Sequence, residues 1–371
     1  MKRSPFFAEV AAYDPILVGI QGWEVPNVFT TAQEEHRAVR ERVGLLDWST
    51  TGEFEIQGPD ALEVVQKLIV NDASTMPVGR VLYTTMLNED GDIISDITVY
   101  RVGQEHYLFM TAWGSNAADE RPEYDLLVSH SRGKNAYVHD ASPGYGLLAL
   151  QGPKSRALLG ELTEANLTTL DYMWATPARV AGVRALISRT GYTGELGYEV
   201  LVPTEHAHDF WGAMTGAGEK YGLAPVGMVA AFSLRMEKGY IMRFDFAGGR
   251  TPYEIGLGWT VKLDKGDFVG REALVRRKEA GLEEKLVNIA VQGDYVPAGG
   301  DTILKDGRAV GKTTSAAMGH TVGRALTLGY VPVPLARPGV PVEIQDKADN
   351  THPAEVTLRS PYDPEGGRLR I

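Results

Sequence analysis

The chain has 371 residues, 43% of them hydrophobic and 23% charged, with a formal net charge of −11. That composition fits a globular chain of two or three domains and excludes a disordered or fibrous one, while the negative balance repels phosphate backbones, so nucleic acid is not an expected partner. There is no cysteine, which removes disulfide scaffolds, thiolate metal sites and cysteine nucleophiles and leaves hydroxyls, carboxylates, imidazoles, amines or a bound cofactor to do any chemistry.

The opening Met1-Lys2-Arg3-Ser4-Pro5-Phe6-Phe7 imitates a signal segment, but Glu9 and Asp14 interrupt it. No apolar run approaches the roughly 18 to 20 residues of a bilayer span. The expectation is a cytoplasmic protein without a membrane partner. Thr31 and Glu34 form a capping box that opens a helix running to Val43 and closing at Gly44. An alternating strand follows over 52–57 and breaks at Gly58-Pro59, with Leu62, Val65, Leu68 and Ile69 then at helical spacing. The proline is expected at the first helical position, where its missing N–H costs nothing.

This strand–turn–helix unit recurs. Gln57-Gly58-Pro59 and Gln151-Gly152-Pro153 lie 94 residues apart, and the second is followed by Ala157, Leu158 and Leu162. The repeat predicts two similar halves about a pseudo-twofold axis, over about 1–145 and 146–281. A turn over 88–96 is expected to enter the strand Ile97–Tyr100, and a turn over 189–195 to enter Leu196–Leu201. Gly91 and Gly191 are 100 residues apart and Asp96 and Glu195 are 99 apart, which would make those carboxylates equivalent at a shared cleft.

Thr204 is expected to cap a helix to about Gly222 with Ala207, Phe210, Trp211 and Met214 inward. Further helices are expected near Gly227–Lys238 and Arg271–Ala280, each stopped by glycine. Beyond 281 the expected strands are short: 287–291, 301–304, 326–331, 340–345 and 354–358. Separated by Gly, Pro, Asp and Asn, they predict a small antiparallel barrel or sandwich over 282–371.

Several motif matches fail. Gly311-Lys312-Thr313 would end a phosphate loop, but Asp306 stands where that loop needs glycine. Gly256-Leu-Gly258 lacks a third dinucleotide glycine, and no nucleophile elbow occurs. His206 and His208 fall on different faces of a helix, and the remaining histidines lack ligand spacing, so no metal is expected. The segment Gly191-Tyr-Thr-Gly-Glu-Leu-Gly197 differs. Its glycines allow a tight turn that brings backbone, a ring and a carboxylate close to a ligand. A solvated glycine-rich hairpin is the competing reading.

Arg189-Thr-Gly-Tyr-Thr-Gly-Glu195 resembles the signature of the glycine cleavage T-protein (aminomethyltransferase) family. Other segments agree in the same order: Gly22-Trp-Glu-Val-Pro26, Glu35-His-Arg-Ala-Val-Arg40, Val43–Ser49, Gln57–Ala61, Asn71-Asp72 and Tyr83–Asn88. Ser233–Gly239, Thr251–Gly258, Val261–Gly266 and Phe268–Leu274 are most similar to the folate-binding part of dimethylglycine and sarcosine dehydrogenases, and folate-dependent demethylases share the fold. The resemblance implies an α+β chain: two pseudo-symmetric α/β half-domains around a central folate cavity, plus a C-terminal antiparallel β-barrel domain.

The implied cofactor is tetrahydrofolate, which carries the one-carbon unit while protein supplies orientation and electrostatics. Glu195 matches the family's pterin-holding acid, since a carboxylate accepts both N–H donors of a pterin edge. Tyr192 and Tyr83 are implied beside the cofactor. Asp96 matches the acid at the reaction centre, stabilising positive charge that develops near N5. Arg235 either meets the folate glutamate tail or forms a structural salt bridge, and Lys312 or Arg324 are alternatives for the tail. Ser95, Phe232, Thr111 and Ile241-Met242-Arg243 depart from the ordinary T-protein pattern. The favoured expectation is therefore methyl transfer from a small methylated substrate to tetrahydrofolate, as in a demethylase. The alternatives are glycine-cleavage aminomethyl transfer with a lipoylated carrier protein, and capture of formaldehyde or an imine from a partner amine oxidase as methylenetetrahydrofolate. Iron–sulfur assembly proteins of this fold use a cysteine in the signature loop, which this chain lacks. A folate-binding role without catalysis is the remaining alternative.

Overall fold

The computed structural model of the chain describes residues 1–111 and 121–371. It divides into two compact units, Met1–Met86 with Ile94–Ala231 and Gly367–Ile371, and Leu87–Ile93 with Phe232–Gly366.

The first unit opens with α1 (Phe7–Ala11), the hairpin of β1 (Ile16–Ile20) and β2 (Trp23–Val28), then α2 (Ala32–Glu41) and β3 (Val43–Asp47). The Thr31 hydroxyl accepts the Glu34 N–H at 3.1 Å, which is the expected cap. The helix stops earlier than its periodicity indicates, because Val43–Asp47 is drawn into a sheet between the strands Tyr145–Gln151 and Leu223–Pro225.

Two copies of one motif follow. The first is β4 (Glu53–Gln57), α3 (Ala61–Leu68), β5 (Val81–Leu87), β6 (Ile93–Gly103), β7 (His106–Met110), α4 (Pro122–Ser131) and β8 (Tyr137–Asp140). The second is β9 (Tyr145–Gln151), α5 (Ser155–Leu162), β10 (Ala175–Val180), β11 (Val183–Ser188), β12 (Gly197–Pro203), α6 (Ala207–Gly218) and β13 (Leu223–Pro225). Their sheets run β5-β6-β7-β4-β8 and β10-β11-β12-β9-β3-β13, so β3 fills the place of β8 and pairs antiparallel with β9. Gly58 and Gly152, at φ +127° and +131°, hold the same backbone shape that only glycine adopts freely. At both glycines a Cβ would overlap a backbone carbonyl.

Two expectations are corrected here. Pro59 lies in the turn before Asp60, the N-cap of α3, rather than at the first helical position. The carboxylates of Asp96 and Glu195 are also not equivalent. Asp96 is on β6, whose counterpart is β11, whereas Glu195 is in the connection from β11 to β12. The true partner of the Gly91 turn is the β10–β11 turn at Gly182, and both glycines have φ +81°. A spacing of 99 residues thus joined unlike places, because the longer β11–β12 connection resembles a hairpin turn in composition.

Leu148, Leu150, Leu158, Tyr198, Phe210, Trp211 and Met214 build the core of the second copy. Val81, Tyr100, Leu108 and Met110 from the first sheet pack with Leu147, Ala175 and Leu201 from the second.

The chain enters the second unit within α7 (Met228–Lys238), and α8 (Arg271–Ala280) is stopped by Gly281 as expected. A closed antiparallel barrel follows: β14 (Glu284–Val291), β15 (Thr302–Lys305), β16 (Arg308–Gly319), β17 (Arg324–Pro332), β18 (Pro341–Gln345) and β19 (Thr351–Thr357), in the order β14-β17-β16-β15-β18-β19. Ile289, Val291, Ile303, Val331, Val342, Ile344 and Val356 fill it. Five strands were expected, and β16 is the sixth. Its Gly-, Thr- and Ala-rich run has no apolar alternation, yet it pairs with β15 and β17 on either side. Gly311-Lys312-Thr313 lies inside that strand. Among the described residues no helix is long and apolar enough to cross a membrane.

Candidate functional site

The signature loop connects β11 to β12 in the first unit. Gly194 takes φ +82°, a left-handed conformation that turns the chain between Thr193 and Glu195. Glu195 is 1% exposed. Its Oε1 lies 3.3 Å from Nη1 of Arg40 on α2, and the same Nη1 donates to the Thr193 carbonyl at 2.8 Å. A carboxylate this deep needs a cation and hydrogen bonds to stay ionised. Arg40 supplies a cation and one hydrogen bond to it. Tyr192, in the same loop, stays half-buried. Arg189 turns away, donating to the carbonyls of Leu170, Leu369 and Ile371 at 3.1, 3.0 and 2.8 Å.

Gln151, at the end of β9, is fully buried against the loop. Its Nε2 donates to the Thr190 carbonyl at 3.1 Å, and its Oε1 accepts the Thr193 hydroxyl at 2.7 Å.

A second group stands on the other sheet of this unit. Tyr83 on β5 donates its hydroxyl to Asp96 Oδ2 on β6 at 2.8 Å, with both side chains half-buried. Ser95 points to the opposite face and is buried. Tyr100 lies four residues beyond Asp96 on the same face of β6. Its hydroxyl is 3.5 Å from Ser188 Oγ, which is 2.7 Å from Thr190 Oγ1. Thr190 in turn donates to Glu199. Burial holds the Glu199 carboxyl above the usual carboxylate range, and burial followed by the Glu199 charge raises the Tyr100 phenol. This chain of polar groups ties β6 to the root of the signature loop. At about 3.3 Å per residue, Asp96 lies about 13 Å along the strand from that junction.

Arg235 is placed elsewhere, in the second unit. Its side chain is 0% exposed and Nη1 donates to Asp245 Oδ2 at 3.0 Å and to the Tyr240 carbonyl at 2.9 Å. The guanidinium carbon sits 5.0 and 5.7 Å from the ring centroids of Phe232 and Phe244. Asp245 also accepts from the Met242 N–H at 2.8 Å and from the hydroxyls of Thr314 and Ser315, both at 2.5 Å. Of the two readings of Arg235, the structural ion pair is present in the fold. Lys312 and Arg324 remain exposed, Arg324 at 3.6 Å from Glu355.

The loop and the Tyr83–Asp96 pair are thus in one unit, and Arg235 is internal to the other. Sequence reasoning passed over Gln151 as a site residue although the repeated triplet contains it, and quoted Arg40 without a role. A groove of about 1050 Å³ between α5 and β10, lined by Leu162, Asn166, Trp174 and Thr176, contains none of the predicted site residues.

Residues 6–265 match the GCVT N-terminal domain, and residues 284–363 match the glycine cleavage T-protein C-terminal barrel domain. The chain is 39% identical over 345 residues to an aminomethyltransferase of Halothermothrix orenii, covering 93% of this chain and 95% of the relative. It is 38% identical over 332 residues to an aminomethyltransferase of Thermotoga maritima, covering 89% and 90%. The crystal structure of the glycine cleavage system aminomethyltransferase T from Bartonella henselae aligns with a TM-score of 0.90 over 98% of both chains at 24% identity. That last likeness shows the fold.

Proposed function

The chain belongs to the glycine cleavage T-protein family, a family of tetrahydrofolate-dependent one-carbon transferases, and on that premise we propose that it transfers the carbon of an aminomethyl donor to tetrahydrofolate. Relatives named aminomethyltransferases, matched over nine-tenths of both chains, support this alternative over the favoured demethylase reading, for which the comparisons offer nothing. A lipoylated carrier protein is the donor that this reading requires, and the cytoplasm is its compartment.

The observation that carries the proposal is the buried Glu195 held by Arg40 beside a glycine-rich loop. This acceptor suits a pterin: a carboxylate accepts the ring N–H and the amino N–H together. Tetrahydrofolate, when bound, supplies the N5 that takes up the carbon. Tyr192 contributes a ring beside Glu195, and Asp96, oriented by the Tyr83 hydroxyl, stabilises positive charge developing near that nitrogen. Both carboxylates then face one cavity within the first unit. The polar contact of β6 with the loop root through Tyr100 and Ser188 supports this arrangement.

Phe232 favours methyl transfer as a second reading. It stands where the resemblance puts an aspartate, so the carboxylate of the ordinary T-protein pattern is missing there. Incubation with tetrahydrofolate and either an aminomethyl-loaded lipoyl carrier or methylated amines, sulfonium compounds and methoxyaromatics separates the two. Mass spectrometry distinguishes methylene- from methyltetrahydrofolate. Glu195→Ala should lose reduced-folate affinity by about 1.5 to 3 kcal/mol, the range for hydrogen bonds to a charged group. Unchanged affinity in a folded variant removes Glu195 from the site.

A further inference from the structure

We propose that Gln151 is a positioning residue that sets the Glu195 carboxylate for folate; this rests on the reading of Glu195 above. Gln151 stands directly opposite Gly197 across the β9–β12 ladder. A Cβ at either Gly191 or Gly197 would overlap the Gln151 amide, so the amide occupies the hollow that these glycines leave open. Its two ends are spent on the loop, with Nε2 on the Thr190 carbonyl at 3.1 Å and Oε1 on the Thr193 hydroxyl at 2.7 Å. The Thr190 carbonyl can only accept, which assigns the amide orientation.

These bonds fasten both sides of Gly191-Tyr192. Thr193 is then gripped twice, by Gln151 on its hydroxyl and by Arg40 on its carbonyl at 2.8 Å. Its hydroxyl oxygen also lies 3.4 Å from the Glu195 amide nitrogen, which donates to it. A segment with glycine at 191, 194 and 197 has little stiffness of its own. The Gln151 amide supplies the missing constraint. The equivalent residue of the first copy does none of this: Gln57 is exposed and stands opposite His106 rather than a glycine. The role therefore belongs to the site and not to the repeated strand end.

The test compares Gln151→Met, which keeps length and bulk without hydrogen bonds, with Gln151→Glu, Glu195→Ala and the Gln151→Met/Glu195→Ala double variant. Titration calorimetry with tetrahydrofolate is read beside thermal unfolding of the full chain. Losing two hydrogen bonds that hold the loop should weaken folate binding roughly tenfold to a hundredfold in Gln151→Met. Because the residue acts through Glu195, the same change in the Glu195→Ala background should add less than about twofold. Gln151→Glu keeps the acceptor for Thr193 but sets an oxygen against the Thr190 carbonyl, so it should also weaken binding if Gln151→Met does not fold. Unweakened binding in a folded Gln151 variant while Glu195→Ala weakens it overturns this proposal alone. Losses that multiply in the double variant overturn it as well. Unchanged folate affinity in Glu195→Ala overturns the folate reading and this proposal with it.

Discussion

Replacing Asp245 by asparagine removes one charge from a pair whose side chains have no exposure, Arg235 and Asp245 at 3.0 Å. Breaking a buried pair from one side leaves the other charge uncompensated and costs about 3 to 5 kcal/mol. What remains around Arg235 is the Tyr240 carbonyl at 2.9 Å and the faces of Phe232 and Phe244. Ring faces offset about 0.5 to 2 kcal/mol for a desolvated cation, which places the expected loss near the lower limit, about 3 kcal/mol. At roughly 2 to 4 °C per kcal/mol this is a fall in Tm of about 6 to 12 °C. Arg235→Met should cost less, because the Asp245 carboxylate keeps three donors, from Met242, Thr314 and Ser315. Thermal unfolding by circular dichroism, with urea titration as a second measure, gives both values. A Tm within about 2 °C of the parent for Asp245→Asn refutes the reasoning. Reduced folate affinity at unchanged Tm in Arg235→Met would instead make the arginine a ligand contact.

Asp96→Asn should lower turnover about a hundredfold at saturating tetrahydrofolate while leaving folate affinity nearly intact, since it removes charge and keeps shape. Tyr83→Phe, which deletes the hydrogen bond at 2.8 Å, should act in the same direction by about tenfold. Burial pushes the Glu53 carboxyl up to about 8, above its unfolded value of 4.5, so the folded chain holds that proton and loses stability as pH rises through this window. Glu53→Gln mimics the protonated form and should flatten the fall in Tm between about pH 5 and 8, and an unaltered profile would count against it. Gly58→Ala, with φ +127° and a backbone carbonyl in the way, should cost more stability than Gly182→Ala, where φ is +81° and the space is open. Strain of about 1 to 3 kcal/mol is expected at each, with the clash added only at Gly58.

Local chemistry decides what the sequence alone determines about this protein. The Thr31 cap, the glycine stops after Lys238 and Ala280, the inward row of α6 and five of the six barrel strands follow from neighbouring residues and are found where their spacing puts them. The repeat was legible because Gly58 and Gly152 each need a backbone that only glycine takes freely. The family signature was legible because the tight loop is written in consecutive residues. Pairing across distance was not legible in this way. Arg40 and Glu195 are 155 residues apart and Gln151 reaches Thr193 over 42, and no periodicity records such contacts. Arg235 reads equally as a ligand or a salt bridge in the sequence, and only the fold brings Asp245 to its guanidinium. The supposed equivalence of Asp96 and Glu195 failed for the same reason: strand order in a sheet is set by hydrogen bonding between distant segments, and turns of similar composition can occupy different places in it. The β16 strand shows the same limit from the other side. It lacks an apolar pattern and is a strand because β15 and β17 supply partners for its backbone, which only the closed barrel provides.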